Sequence, residues 1–88
     1  MRPMSERELL DRITYNPEIF GGKAIIRGRR LAVSHVLGMM SAGSSIEELL
    51  EHYPWLQRED IHACLSYASR ITAREYFAPR LDTSEAAD

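Results

Sequence analysis

Cysteine, lysine and long apolar runs are all scarce in this chain of 88 residues, and each shortage excludes something. The single cysteine, Cys64, rules out an internal disulfide, so the core alone must carry stability, as is usual in a reducing compartment. No apolar run approaches the roughly 18 residues that a membrane-spanning helix needs. The opening stretch MRPMSERELLDR lacks the hydrophobic centre of a secretory leader. A cytoplasmic protein with no membrane partner is therefore expected. There is no Walker A loop, dinucleotide fingerprint or nucleophile elbow, and Gly21-Gly22-Lys23 lacks the Ser/Thr that would complete a phosphate loop. His62 and Cys64, two apart, point about 200° away from each other on a helix and do not converge on a metal. His35 and His52 stand in separate segments with no acid or cysteine at ligand spacing. At 10.1 kDa there is room for one small domain, with about 60–65% of its surface buried on folding, and not for a deep catalytic cleft. No enzymatic activity, cofactor or metal is expected.

What the chain does have is a divided charge. The formal net value is −2, yet from Ile19 to Ile46 there is no acid at all, while Lys23, Arg27, Arg29 and Arg30 supply four positive charges. From Glu47 to Asp60 five acids face one base, Arg58. Only one of the eleven basic residues is lysine, which favours planar, bidentate recognition of phosphate or carboxylate over a diffuse cationic cloud.

The hydrophobic periods predict a mainly α fold. Residues 1–12 read as a short helix or a loose arm, with Ser5 and Glu8 spaced as a capping box. Ile13-Thr14-Tyr15 has strand composition and ends at the turn signal Asn16-Pro17, and a loop follows through Phe20-Gly21-Gly22-Lys23. A β-hairpin is predicted over 24–33, two short apolar runs about a turn at Gly28 that carries Arg27, Arg29 and Arg30 at its tip. Helices are predicted over about 34–42, with Ser34 as N-cap and Gly43 as its stop, over 45–52, opened by the Ser45/Glu48 capping box, and over 58–78, ended by Pro79. The last of these is expected to bury Ile61, Leu65, Ala68 and Ile71 or Thr72. Tyr53-Pro54-Trp55 would deliver two rings to the core, and 79–88 would be a flexible acidic tail.

Three helices joined by short turns are the minimum of a helix-turn-helix core, and equally of a generic three-helix bundle. The Arg27, Arg29, Arg30 tip with Lys23 suits a nucleic-acid phosphate, an acidic protein surface, or structural pairing with the acids of the second helix, 45–52. The outward face of the last helix, His62, Ser66, Ser69 and Arg70, is a candidate groove contact. Against it stand Glu59 and Asp60, which would meet phosphates at that helix's start. Tyr76, Phe77 and Leu81 form an apolar cluster beyond the three-helix core and are candidates for a protein partner or for folding back. A single-strand RNA binder would want an exposed aromatic platform that the sequence does not announce.

The run from Ile13 to Val33, together with Ala42-Gly43-Ser44, Glu47-Glu48-Leu49-Leu50, Tyr53-Pro54-Trp55-Leu56, Glu59-Asp60-Ile61 and Tyr67-Ala68, closely resembles the prokaryotic family called domain of unknown function 433. The resemblance covers about Ile13 to Ile71. It implies a homeodomain-like trihelical core with a small hairpin, and an antitoxin role in type II toxin–antitoxin pairs. Such an antitoxin would bind and silence a PIN-like ribonuclease toxin and bind operator DNA as an autorepressor, and operator symmetry adds the expectation of a homodimer. The alternatives are a toxin-neutralising module that leaves DNA alone and a generic small nucleic-acid-binding domain. Two positions depart from the family pattern: Arg29 stands in place of a threonine in Gly-Thr-Arg, and Ala24 follows Lys23 where the family has proline.

Overall fold

In a computed structural model of the chain, residues 3–74 are described. Four helices and a two-stranded sheet follow in the order α1 (Glu6–Leu10), β1 (Ile13–Tyr15), a 3-10 turn (Phe20–Gly22), β2 (Ala24–Ile26), α2 (Val33–Ser41), α3 (Ile46–His52) and α4 (Arg58–Arg74). No described helix is long and apolar enough to cross a membrane.

Two helix starts form as their side chains dictate. The Ser5 and Ser45 hydroxyls accept from the Glu8 and Glu48 amides at 3.1 Å, and each glutamate reaches back to the cap amide at 2.8 Å. At the end of α2, Gly43 takes φ 111, and the Gly43 and Ser44 amides donate to the Met40 and Met39 carbonyls, which closes the helix as a glycine in the left-handed region can.

The hairpin differs from expectation. β2 pairs antiparallel with β1, Ile13 opposite Ile26 and Tyr15 opposite Ala24, and the anticipated return strand shrinks to a single bridge between Ile25 and Ala32. The chain turns too tightly for more. The Arg29 amide donates to Ile26, the Leu31 amide to Arg29, and Val33 already opens α2. Ala32 is thus the N-cap, its carbonyl accepting from the His35 and Val36 amides, and Ser34 sits exposed in the first turn with no capping role.

The helices α1, α2 and α3 all pack against α4. Ile13, Ile26, Leu31, Val33, Val36, Leu49, Leu56, Ile61, Ala63 and Cys64 form the core. The buried face of α4 is rotated from the expected one, since Leu65 is 44% exposed and Ile71 47% exposed, while Asp60 and Cys64 are fully buried. Ile61→Ala should accordingly cost about 2–4 kcal/mol in urea unfolding and Leu65→Ala less than about 1 kcal/mol. The reverse ranking would restore Leu65 to the core.

Cys64 is a core thiol. Burial first, and the nearby Asp60 charge second, push its pKa up to about 12. At pH 8, alkylation by iodoacetamide should run on the order of a thousandfold slower in native protein than in urea. Rates within tenfold of each other would show that the helix opens readily.

Candidate nucleic-acid interface

The arginines of the acid-free segment part company in the fold. Arg27 adopts φ 46, left-handed for a residue with a side chain, and its amide donates to the Arg12 carbonyl at 2.8 Å. That conformation aims its guanidinium inward. Arg27 Nε donates to Asp60 Oδ1 at 2.9 Å, and Nη2 to Asp60 Oδ2 at 2.7 Å and to the Trp55 carbonyl at 3.1 Å. Arg12 Nη1 adds a bond to Asp60 Oδ1 at 2.8 Å, and the Gln57 amide donates to Oδ2 at 2.9 Å. Desolvation pushes the Asp60 pKa up, but the Arg27, Gln57 and Arg12 hydrogen bonds outweigh it, and the carboxyl titrates below its ordinary value.

Arg27, expected at a phosphate, is therefore committed to a buried acid. Asp60, expected to repel phosphates at the start of α4, is turned inward and neutralised, which leaves only Glu59 of that pair at the surface.

Arg29 and Arg30 remain exposed, and neither they nor Lys23 forms an ion pair among the described residues. Rings support them instead. The Arg29 guanidinium lies 4.6 Å from the Trp55 ring centroid and that of Arg30 lies 5.9 Å from Phe20. Trp55 meets Tyr53 edge-on at 6.3 Å, and Tyr53 lines a cleft with Phe20, Lys23, Arg30, Ser34 and His35. The result is a strip in which cations alternate with aromatic rings, from Arg29 on Trp55, through Tyr53, to Arg30 on Phe20 and Lys23. Each cation–ring contact is worth about 0.5–1 kcal/mol at such exposure and holds a guanidinium without cancelling its charge. Phe20, Tyr53 and Trp55 were not anticipated as parts of a site. The adjacent Tyr-Pro-Trp turn was the available signal, and it pointed to the core alone, whereas Tyr53 and Trp55 are half-buried and serve both sides.

The other candidate face is less open. Arg70 pairs with Glu6 of α1 at 3.4 Å, Ser66 is half-buried, and His62 shares a hollow with Met4 and Leu9 at the α1 end of the molecule. His62, Ser66 and Arg70 thus run beside α1, and among these positions Ser69 is exposed with no partner of its own side chain in view. An apolar groove of about 500 Å³ lies between Tyr15, Ala24, Leu37, Tyr67 and Ile71 and borders the cleft at Lys23 and Ser34. The proposed partner residues Tyr76, Phe77 and Leu81, the last turn of the 58–78 helix and the 79–88 tail lie outside the described residues.

A family model described as protein of unknown function (DUF433) matches residues 13–68. The chain belongs to the DUF433 family. A crystal structure of a DUF433 member from Anabaena variabilis superposes with a TM-score of 0.68 at 31% identity, over 77% of this chain and 67% of that one. An uncharacterized protein of Sinorhizobium fredii, y4eO, is 39% identical over 56 residues, which are 64% of this chain and 25% of that protein. The chain thus spans about a quarter of that relative's length. The matched DUF433 region holds β1, β2, α2, α3 and most of α4, and with them Lys23, Arg29, Arg30, Phe20, Tyr53 and Trp55; α1 precedes it.

Proposed function

We propose that this DUF433 protein is a non-enzymatic antitoxin that binds operator DNA as a homodimeric autorepressor and neutralises a PIN-like ribonuclease toxin in the cytoplasm. The observation that carries the DNA half is the strip itself: Lys23, Arg29 and Arg30 have no acid partner among the described residues, and two of them are pre-positioned on rings. A surface that only balanced charge within the fold would pair them, as it pairs Arg27. The toxin half rests on the family resemblance; the exposed apolar groove at Tyr15, Tyr67 and Ile71, which borders the cleft at Lys23 and Ser34, suits a protein contact.

The reading is tested by titrating the full chain against DNA from upstream of its own reading frame, over a series of salt concentrations. A sequence-preferring shift whose affinity falls with salt is expected. No binding at 50 mM salt would overturn the DNA half and leave the toxin-neutralising module without DNA binding, which co-purification with an adjacent PIN-like protein would then establish.

A further inference from the structure

The open cleft lined by Phe20, Lys23, Arg30, Ser34, His35 and Tyr53 has a volume of about 580 Å³. Its chemistry is one-sided. Two full cations, an imidazole, a serine hydroxyl and a phenol face it, and among the described residues no carboxylate lines it, in keeping with the absence of acid from Ile19 to Ile46. One of the cations is anchored: Arg30 lies by the ring of Phe20, a residue held at φ 50. A side-chain-bearing residue in that region costs about 1 kcal/mol or more, and such strain gathers at binding sites. The turn nevertheless keeps Phe20 47% exposed at the cleft mouth rather than burying it.

We propose that this cleft seats a single phosphate group, with Lys23 and Arg30 supplying charge, Ser34 and His35 supplying further hydrogen-bond donors, and Phe20 acting as the positioning residue for Arg30. Phosphate suits the set because its oxygens accept from a guanidinium edge and an ammonium together, and charge-assisted bonds of this kind are the strong ones. The proposal rests on the nucleic-acid reading only in taking the phosphate to be part of a nucleic acid. The site itself can be tested without DNA.

The probe is inorganic pyrophosphate, titrated into the full chain at fixed ionic strength while the Phe20 and His35 ring protons are followed by NMR. Saturating shifts at both rings are expected. Lys23→Ala with Arg30→Ala should weaken binding by about tenfold or more, whereas Arg29→Ala, whose guanidinium lies on Trp55 outside the cleft, should change it less than about twofold. Phe20→Leu should weaken it by about threefold with both cations intact, and Phe20→Tyr should restore it. Unmoved Phe20 and His35 signals, or equal losses for Arg29→Ala and Arg30→Ala, would overturn the proposal, since they describe a diffuse cloud. Melting curves of each variant confirm that the fold persists.

A second arm uses duplex DNA with and without 5′-phosphates. Equal affinities that both fall with Arg30→Ala assign the seat to a backbone phosphodiester, and a gain of about tenfold on 5′-phosphorylation assigns it to a strand end. Pyrophosphate binding without duplex binding keeps the cleft and removes the operator reading. Duplex binding with a silent cleft does the reverse.

Discussion

Asp60→Ala should remove about 4 kcal/mol of the protein's stability. The carboxylate is fully buried and accepts four hydrogen bonds, two from Arg27, one from Arg12 and one from the Gln57 amide. Removing one member of a buried pair costs about 3–5 kcal/mol, because the partners' charges stay behind without compensation. Here the side chains of Arg12 and Arg27 are 19% and 31% exposed and recover some water, which places the loss at the lower end, about 3 kcal/mol. The vacated Gln57 amide at the start of α4 adds to it, by about 1 kcal/mol. A domain of this size holds roughly 4–13 kcal/mol in all. Urea unfolding followed by circular dichroism reads the difference, and a loss under about 1 kcal/mol would show that the network does not hold the three segments together.

Acid gives an independent check with a definite sign. The folded-state pKa of Asp60 lies below its ordinary value, so the unfolded chain takes up the proton first. The stability Asp60 contributes is complete above the unfolded carboxyl pKa of about 3.9 and drains away as pH falls from there through the lower folded value. Wild type should lose stability over that window more steeply than Asp60→Asn, which has no such carboxyl to protonate.

The same network explains what the sequence could and could not disclose. The two capping boxes, the Gly43 stop and the bounds of α3 were legible because each is decided within a few residues, whereas the start of α2 was misplaced, Ala32 and not Ser34 being its N-cap. Nor was the rotated face of α4 legible. Its apolar residues spread over one broad arc of about 120°, with Leu65 at one edge and Cys64 and Ile71 near the other, and only knowledge that Asp60 points inward moves the buried centre away from Leu65. That requires Arg12, Arg27 and Asp60 to meet across separations of 33 and 48 residues, and no local period reports such a meeting. Charge counting made a related error of resolution. The acid-free segment did mark the exposed cations, but it grouped Arg27 with Arg29 and Arg30, and only the left-handed backbone at Arg27 separates an internal strut from a surface contact. The mainly helical fold with its small sheet emerged as anticipated; the return strand failed because Val33 was already helix.

The division between strut and contact makes the largest functional prediction a difference in salt slope. Each phosphate neutralised by a basic side chain contributes about 0.9 to the slope of log affinity against log salt on duplex DNA. Arg29→Ala with Arg30→Ala should lower the magnitude of that slope by about two. At 0.1 M salt, one decade below a 1 M reference where counterion release contributes nothing, the same loss weakens binding by about 60-fold. Arg27→Ala should behave oppositely, destabilising the fold while leaving the slope of the folded fraction unchanged, because its charge is already spent on Asp60. Arg70→Ala, beside α1 and paired with Glu6, should leave the slope within about 0.3 of wild type. Trp55→Leu separates ring support from charge: Arg29 keeps its charge and the slope, but affinity falls severalfold as the guanidinium loses its ring. Fluorescence anisotropy on upstream duplex from 50 to 300 mM salt measures all five proteins. Equal slopes for wild type and the Arg29, Arg30 pair would remove the strip from the DNA and return the interface to α4, where a fall of about one for Arg70→Ala would place it.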